Sequence, residues 1–396
     1  MRRLALFALA LATAGAAQPV AVTGEIRHRT ELDNRDLSGV DAATPVHLLR
    51  TRLAVDARPT ARVRAFVQVQ DSRLWGGENP ALALGTLDGS ADLLDVHQAF
   101  FEVDSLGGRA LAARVGRQEI VVGNQRLVGA VGWSNVGRTF DAVRLRGSAG
   151  AVSGEVFAAQ LVTAAGASDA QALVGAVAAM PVGPLTAQAT LLLDGDAAEV
   201  ESGPDVGARQ RQRTTAGLRL HGRWGPVGLD AEAYGQGGAL ASGPDGPRDN
   251  IRSWLGSAEV STELVGLGLA LGATRLSGDA DPADGVDRRF DTLFATNHKF
   301  YGAMDYFPRG TAGLDDLFAS VAWARRGWRL AATGHAFAAA VDVGGGRALG
   351  RELDLAATVP LAPGVAVSLG ASAFWPTDRL GDSATGWGYL ATSVAF

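Results

Sequence analysis

The chain has 396 residues, of which 47% are apolar, with 52 glycines and no cysteine. The lack of cysteine excludes disulfides and thiolate metal sites, and the formal net charge of −5 argues against nucleic acid as a partner. The high glycine content and the scarcity of helix-capping signals exclude a helical bundle.

The chain begins with an export signal. Two arginines precede an apolar run from Leu4 to Ala12, and small residues suited to cleavage follow at Ala16 and Ala17. This run is shorter than the roughly 20 residues that a membrane-spanning helix needs. We therefore expect residues 1–17 to be a signal peptide and residues 18–396 to form a single domain.

Alternation of polar and apolar residues begins at VTGEIRHRTEL. Arg27 and Arg29 have one parity in this segment, and Val22 and Ile26 have the other. Because successive side chains of a strand point to opposite faces, the segment has one polar and one apolar side. The same pattern predicts strands near residues 22–32, 46–58, 61–73, 93–104, 109–122, 137–147, 151–162, 171–180, 184–194, 212–223, 226–236, 251–263, 266–276, 315–325, 328–340, 349–359, 364–375 and 385–396. About 18 strands of roughly 10 to 13 residues suit a chain that crosses a bilayer in tilted strands.

The predicted connections alternate in length. Long links near 33–45, 74–92, 123–136, 195–211, 237–250 and 277–314 are interleaved with tight turns such as Pro59-Thr60 and Gly225-Pro226. Outer-membrane barrels join their strands by short periplasmic turns and longer external loops. The pattern therefore predicts an all-β fold, a transmembrane antiparallel β-barrel of about 18 strands in the bacterial outer membrane.

One segment, residues 172–193, is apolar enough for a membrane helix. Its centre, Pro181-Val182-Gly183-Pro184, breaks helices and favours a hairpin turn, so we interpret it as strand, turn and strand.

Aromatic residues near the predicted strand ends support the barrel. Such residues collect where a barrel wall meets the two membrane interfaces. The chain also ends in a strand with a terminal Phe396, which is typical of outer-membrane barrels. The tryptophans in question are Trp224, Trp254, Trp328, Trp375 and Trp387.

Motifs of common enzymes are not found in the sequence. The only lysine, Lys299, precedes Phe300 and so cannot belong to a P-loop, and no serine has glycines two positions before and after it. The six histidines lack metal-ligand spacing. We expect no enzymatic activity, no cofactor and no metal. A lipid hydrolase, which needs a serine and a histidine side by side on the outer face, remains an alternative.

If the polar parity faces inward, arginines line one side of the channel. The following strands offer Asp230, Glu232, Glu259, Glu352 and Asp354, so the predicted lumen is basic on one side and acidic on the other. Guanidinium groups bind carboxylates through two parallel hydrogen bonds, which suits uronic acids or small organic acids. Alternatively, the arginines pair with lumen carboxylates and only stabilise the wall. The arginines are Arg27, Arg29, Arg50, Arg52, Arg62, Arg64, Arg114, Arg144, Arg146 and, further along the chain, Arg219.

Long blocks of the sequence resemble the alginate export family of outer-membrane barrels. These blocks are VGRQEIVVGNQRLVGAVGWSNVGRTFDAVRLR at 115–146 and RRFDTLFATNHKFYGAMDYF at 288–307, followed by GLDDLF at 313 and GRELDL at 350. The resemblance implies an 18-stranded barrel and, for the member that names the family, export of an anionic polyuronate through an arginine-lined pore. By residue match it also implies a channel-lining or pore-shaping role for Arg117, Glu119, Arg126, Arg138, Asp141 and Arg144.

Two arginines, Arg114 and Arg117, have opposite parity in their predicted strand. Arg114 and Arg117 cannot both face the lumen of a regular strand. We expect Arg117 near the external rim, with Asp141 available to pair with Arg117 or Arg126, and Arg138 at the start of a descending strand. Trp133 is expected in the external loop before that strand.

The sequence thus predicts an outer-membrane channel for anionic saccharides, alginate-like polyuronate among them. A general or neutral-sugar porin is the first alternative. We expect a monomer whose partners are outer-membrane lipid and lipopolysaccharide, the barrel-assembly machinery and a carboxylated solute. Any gating is expected from external loops such as 74–92 or 277–314 folding into the lumen.

Overall fold

The computed structural model describes residues 19–38, 43–74, 94–161, 171–196, 211–241, 248–308, 310–381 and 383–396. The predicted signal peptide and nearly all of the predicted loop at 74–92 lie outside these ranges. Among the helical segments of the described ranges, none is long and apolar enough to cross a membrane.

Eighteen long antiparallel strands form one closed sheet. Each strand pairs with its neighbours in sequence, and the last strand pairs with the first, so that Glu25 lies opposite Ala395. The very short β14 pairs in parallel with β12. The strands are β1 (Val20–Asn34), β2 (Thr44–Thr60), β3 (Val63–Leu74), β4 (Asp95–Val103), β5 (Leu111–Gln118), β6 (Phe140–Ala149), β7 (Val152–Leu161), β8 (Gln171–Val182), β9 (Leu185–Asp196), β10 (Arg211–Trp224), β11 (Val227–Ala241), β12 (Arg248–Leu264), β13 (Leu267–Leu276), β14 (Val286–Asp287), β15 (Leu314–Arg325), β16 (Trp328–Ala338), β17 (Ala348–Ala362), β18 (Val365–Pro376) and β19 (Thr385–Ala395).

The predicted alternation is confirmed strand by strand. On β9, Leu191 and Leu193 are exposed on the outer face, whereas Leu192 and Asp194 are buried inside the barrel. A bilayer solvates apolar side chains on the outside of such a wall, so the exposed leucines need no protein partner. The predicted hairpin within residues 172–193 is also confirmed, because β8 and β9 meet at a turn where Gly183 has a φ of 59°.

Several details at the ends of the strands differ from the prediction. The strand expected at 109–122 ends at Gln118, and the strand expected at 137–147 begins at Phe140. The turn expected at Pro59-Thr60 lies two residues later, because β2 continues to Thr60. Trp387 is buried inside the barrel rather than placed in the outer aromatic belt. The other four tryptophans of the predicted belt are exposed: Trp224, Trp254, Trp328 and Trp375.

Two long external connections fold into the barrel and fill part of its interior. We call residues 119–139 the first inward loop and residues 277–313 the second inward loop. The backbone N–H of Phe294 donates to the carbonyl of Leu127 at 2.9 Å, and the N–H of Gly129 donates to Phe294 at 2.8 Å. The inward folding expected of 277–314 is confirmed. Trp133 lies in the connection before β6, as expected, but this connection is folded into the barrel, because apolar residues such as Ile120 are buried there.

Candidate functional site

Arginines of the first two strands hold the first inward loop. The Arg27 guanidinium donates to the carbonyls of Gly132 at 2.9 Å, Trp133 at 3.1 Å and Ser134 at 2.8 Å. Arg29 donates to the carbonyl of Trp133 at 2.6 Å. The fork of a guanidinium suits this use, because it presents several donors in one plane. We call this surface the basic wall, defined by Arg27, Arg29, Arg50 and Arg52.

The other two arginines of the basic wall continue this pattern on β2. Arg50 donates to Ser134 at 3.1 Å and binds the carboxylate of Glu25 at 2.6 Å. Arg52 donates to the side chain of Gln70 at 2.6 Å and to the carbonyl of Val136 at 3.3 Å. All four arginines of the basic wall thus contact the backbone of the first inward loop.

Carboxylates compensate the basic wall only in part. Glu31 pairs with Arg29 at 2.7 Å, and Glu119 lies 3.7 Å from Arg52 and 2.9 Å from His97. Glu119 therefore lies beside the basic wall. Within the part of the chain that the structure describes, Arg27 has no carboxylate oxygen within 4 Å, so its partners are carbonyl oxygens alone.

Carboxylates on the opposite side hold the second inward loop. The backbone N–H of Met304 donates to Glu352 at 2.9 Å, and the N–H of Ala303 donates to Asp354 at 3.2 Å. Glu352 is buried, as is Glu232 on β11. We call Glu232, Glu352 and Asp354 the acidic wall. These carboxylates lie on β11 and β17, away from β1 and β2 of the basic wall.

Arg126 joins the two inward loops to the acidic wall. Its Nε donates to Glu232, its Nη1 lies 3.4 Å from the hydroxyl of Tyr301, and its guanidinium carbon lies 4.0 Å from the centre of the Phe300 ring. Burial alone would lower the pKa of Arg126, but Tyr301 and Glu232 outweigh it and raise that pKa above its ordinary value. Arg126 is therefore a permanent cation in a buried ion pair.

Arg138 fastens the loops to each other. It lies in the first inward loop, not at the start of a strand as predicted, since β6 begins at Phe140. Its guanidinium donates to the carbonyl oxygens of Phe294 and, at 3.1 Å, Ala295. Burial lowers the pKa of Arg138 to about 10, so that it stays charged at neutral pH.

An aromatic cluster links the loops on their other side. The Trp133 ring stacks on His298 at 4.6 Å between centres and meets Trp387 and Tyr389 edge-on at 5.8 and 4.7 Å. The Arg29 guanidinium lies 4.0 Å from the centre of the Trp133 ring. Sequence reasoning missed this cluster, although Trp133 and His298 both lie in the blocks that carry the family resemblance.

Five further arginines of the predicted set have the inward-facing parity but are paired with carboxylates. This observation supports the alternative that many arginines stabilise the wall. The pairs are Arg64 with Asp56 at 2.8 Å, Arg114 with Glu102 at 2.8 Å, Arg146 with Glu102, Arg144 with Glu155, and Arg219 with Asp230 at 2.7 Å.

Three predicted channel-lining residues lie elsewhere. Arg62 is exposed in the turn after β2. Arg117 pairs with Asp141 at 2.9 Å, as predicted, but both side chains are on the outer face near the external end of their strands. Asp141 has the parity of the exposed Val143, and Arg117 lies directly opposite Asp141 in the register, so neither reaches the lumen.

A cavity of about 500 Å³ remains inside the barrel between the inward loops and the acidic side. Arg126, Lys299 and Phe300 of the loops line it, together with Arg219 and Asp230 of the wall. A water-accessible space of this kind within the barrel is what transport of a solute requires.

The fold has close counterparts among solved structures. OccAB4 of Acinetobacter baumannii has a TM-score of 0.64 at 9% identity, OpdK of Pseudomonas aeruginosa, solved with vanillate, 0.62 at 14%, and a BenF-like porin of Pseudomonas fluorescens Pf-5 0.63 at 10%. Each comparison covers 95% of this chain and 98% of the other. Among curated proteins, none has a sequence that matches this chain. The model of the family described as alginate export matches residues 18–326, and the protein therefore belongs to the alginate export family and is an outer-membrane β-barrel channel.

Proposed function

We propose that the channel conducts anionic, carboxylated solutes, sugar acids among them, across the outer membrane. The observation that carries the proposal is a set of cations inside the barrel whose partners are carbonyl oxygens. Arg27, Arg138 and Lys299 have no carboxylate within 4 Å in the described ranges. A positive charge that no carboxylate neutralises attracts anions into a narrow pore.

The comparisons agree with this proposal. The family takes its name from the export of alginate, and OpdK was solved with vanillate, which carries a carboxylate. The two inward loops leave a cavity of about 500 Å³, which suits one or two sugar units more than a long polyuronate chain. Alginate-like export would require these loops to move.

A general or neutral-sugar porin is the second candidate. It is favoured by the ion pairs of the other lumen arginines, such as Arg64 with Asp56 and Arg144 with Glu155, which leave those arginines little charge to offer a solute. The lipid-hydrolase alternative gains no support from a family that is described by its export function.

Ion selectivity in planar bilayers separates the two candidates. In a salt gradient the wild type is expected to show an anion-selective reversal potential, and Arg27→Gln is expected to shift this potential towards zero. Arg27→Lys serves as the matched control, because it keeps the charge but loses the planar fork. A wild-type channel without anion selectivity, or one whose selectivity is unchanged in Arg27→Gln, would support the general porin instead.

A further inference from the structure

The cavity inside the barrel contains more than the ion pairs that anchor the loops. Arg126 is paired with Glu232, and Arg219 is paired with Asp230, so these four side chains neutralise each other. Three charged side chains of the same cavity are left over, Lys299, Glu259 and Asp354. Its volume of about 500 Å³ lies within the range of about 300–1,000 Å³ that is usual for small-molecule sites.

Lys299 is the only lysine of the chain and supplies a cation to the cavity. It lies at the end of the short 3-10 turn Asn297–Lys299, directly before Phe300, whose ring centre lies 4.0 Å from the guanidinium carbon of Arg126. Its ammonium donates one hydrogen bond, to the carbonyl of Asn124 at 3.1 Å, and the side chain is exposed. An ammonium has three donors, so two remain for a solute.

The acidic side of the cavity offers acceptors rather than further donors. Glu259 lies opposite Asp230 in the register and forms no ion pair with the described residues. Ser320, Thr333 and Asp354 lie opposite one another on three neighbouring strands. One carboxylate and two hydroxyls therefore lie in one row across the sheet. A carboxylate acceptor repels an anion but accepts hydrogen bonds from hydroxyl groups. This wall therefore suits a solute with several hydroxyls.

Two phenylalanine rings also line the cavity, Phe300 from the second inward loop and Phe318 from β15. An apolar ring face next to polar groups is typical of small-molecule pockets, where the apolar surface supplies contact area and the polar groups fix orientation. The cavity thus combines one ammonium group that has no carboxylate partner, several hydrogen-bond acceptors and apolar ring faces.

We propose that this cavity is a binding site for a hydroxylated monocarboxylate of one sugar unit, with Lys299 binding the carboxylate and Glu259, Ser320, Thr333 and Asp354 binding the hydroxyls. This inference rests on the proposed function and assigns the contact with the solute to the second inward loop, not to the arginines of the basic wall. Several modest hydrogen bonds, rather than one tight ion pair, allow the solute to leave on the far side.

The test is the concentration at which added solutes half-block the single-channel current in planar bilayers. Glucuronate is expected to block the wild type at lower concentration than glucose, which lacks the carboxylate, and than benzoate, which lacks the hydroxyls. Lys299→Gln is expected to raise the half-blocking concentration of glucuronate by about tenfold or more, the effect of one charge-assisted hydrogen bond. Glu259→Gln is expected to reduce the preference for glucuronate over benzoate.

Arg223→Gln is the matched control, because Arg223 is exposed at the periplasmic end of β10 and its side chain donates to the carbonyl of Pro226, away from the cavity. If Arg223→Gln raises the half-blocking concentration as much as Lys299→Gln, or if glucose and glucuronate block alike, the site is refuted. The reversal potential measured in the same bilayers separates the two proposals. Anion selectivity with block independent of Lys299 overturns the site alone, whereas a lack of anion selectivity overturns the proposed function.

Discussion

The basic wall and the acidic wall each hold one inward loop, but the basic wall donates hydrogen bonds to its loop and the acidic wall accepts them. Arginines of the basic wall donate to backbone carbonyls of the first inward loop, for example Arg27 to Ser134 at 2.8 Å. The acidic wall accepts from backbone N–H groups of the second inward loop, for example Met304 to Glu352 at 2.9 Å. Backbone groups inside a barrel need partners, and each loop presents the kind that the wall beside it can satisfy.

This difference changes the meaning of the charge asymmetry. An arginine row inside a channel suggests attraction of an anionic solute, but here much of the row is occupied by the carbonyls of a loop. The charge still acts on the lumen, because carbonyl oxygens do not neutralise a guanidinium as a carboxylate does. One set of residues therefore positions the loop and sets the sign of the potential.

The largest loss of stability is expected from a substitution at Arg126, which joins the two inward loops to the acidic wall. Arg126→Ala leaves the buried Glu232 without its cation, and loss of one partner of a buried ion pair costs about 3–5 kcal/mol in the free energy of unfolding. The single-channel conductance is expected to rise, because both loops lose the same anchor. Urea unfolding followed by tryptophan fluorescence and bilayer recordings measure the two effects.

Arg62→Ala is the control for that experiment, since Arg62 is exposed in the turn after β2. If Arg126→Ala and Arg62→Ala have equal stability and equal conductance, the contacts of Arg126 do not hold the inward loops in place.

An intermediate loss of stability is expected from substitutions in the acidic wall, where the second inward loop needs a hydrogen-bond acceptor rather than a negative charge. Glu352→Leu removes the acceptor of the buried Met304 N–H, which costs about 1–3 kcal/mol in the free energy of unfolding. Glu352→Gln keeps an oxygen at this position and is expected to behave nearly as the wild type. The same urea titration compares them, and a Gln variant as unstable as the Leu variant would mean that the charge itself is needed.

The smallest effect is expected outside both walls, at the pair of Arg117 and Asp141. Their side chains are 27% and 55% exposed, and an exposed pair contributes about 0.2–1 kcal/mol to the free energy of unfolding. Arg117→Ala is expected to leave the reversal potential unchanged, because the side chain lies on the outer face. A shift in the potential comparable to that of Arg27→Gln would contradict this placement.

Much of the barrel could be predicted from the sequence. The two-residue period places Arg27 and Val22 on opposite faces of the wall. The alternation of short and long connections distinguishes the periplasmic end of the barrel from the external end. This succeeds because every side chain of a strand faces either lipid or water, so the wall imposes its period on the residues. The same period places Glu232 and Glu352 on the buried parity of their strands.

The path of the inward loops could not be predicted in this way. Residues 119–139 contain no sustained period, and their partners lie far away in the chain, as when Arg138 contacts Phe294 or Trp133 stacks on His298. The parity of Arg117 signalled that it could not share the lumen with Arg114, but only the register with Asp141 showed that it points outward.

The sequence by itself determined an outer-membrane barrel of about 18 strands and the alternation of polar and apolar faces along them, because these follow from local periodicity. Only the tertiary structure decided which charges remain available to a solute. That depends on which arginines meet a carboxylate and which meet a loop carbonyl, and those contacts join residues about a hundred positions apart.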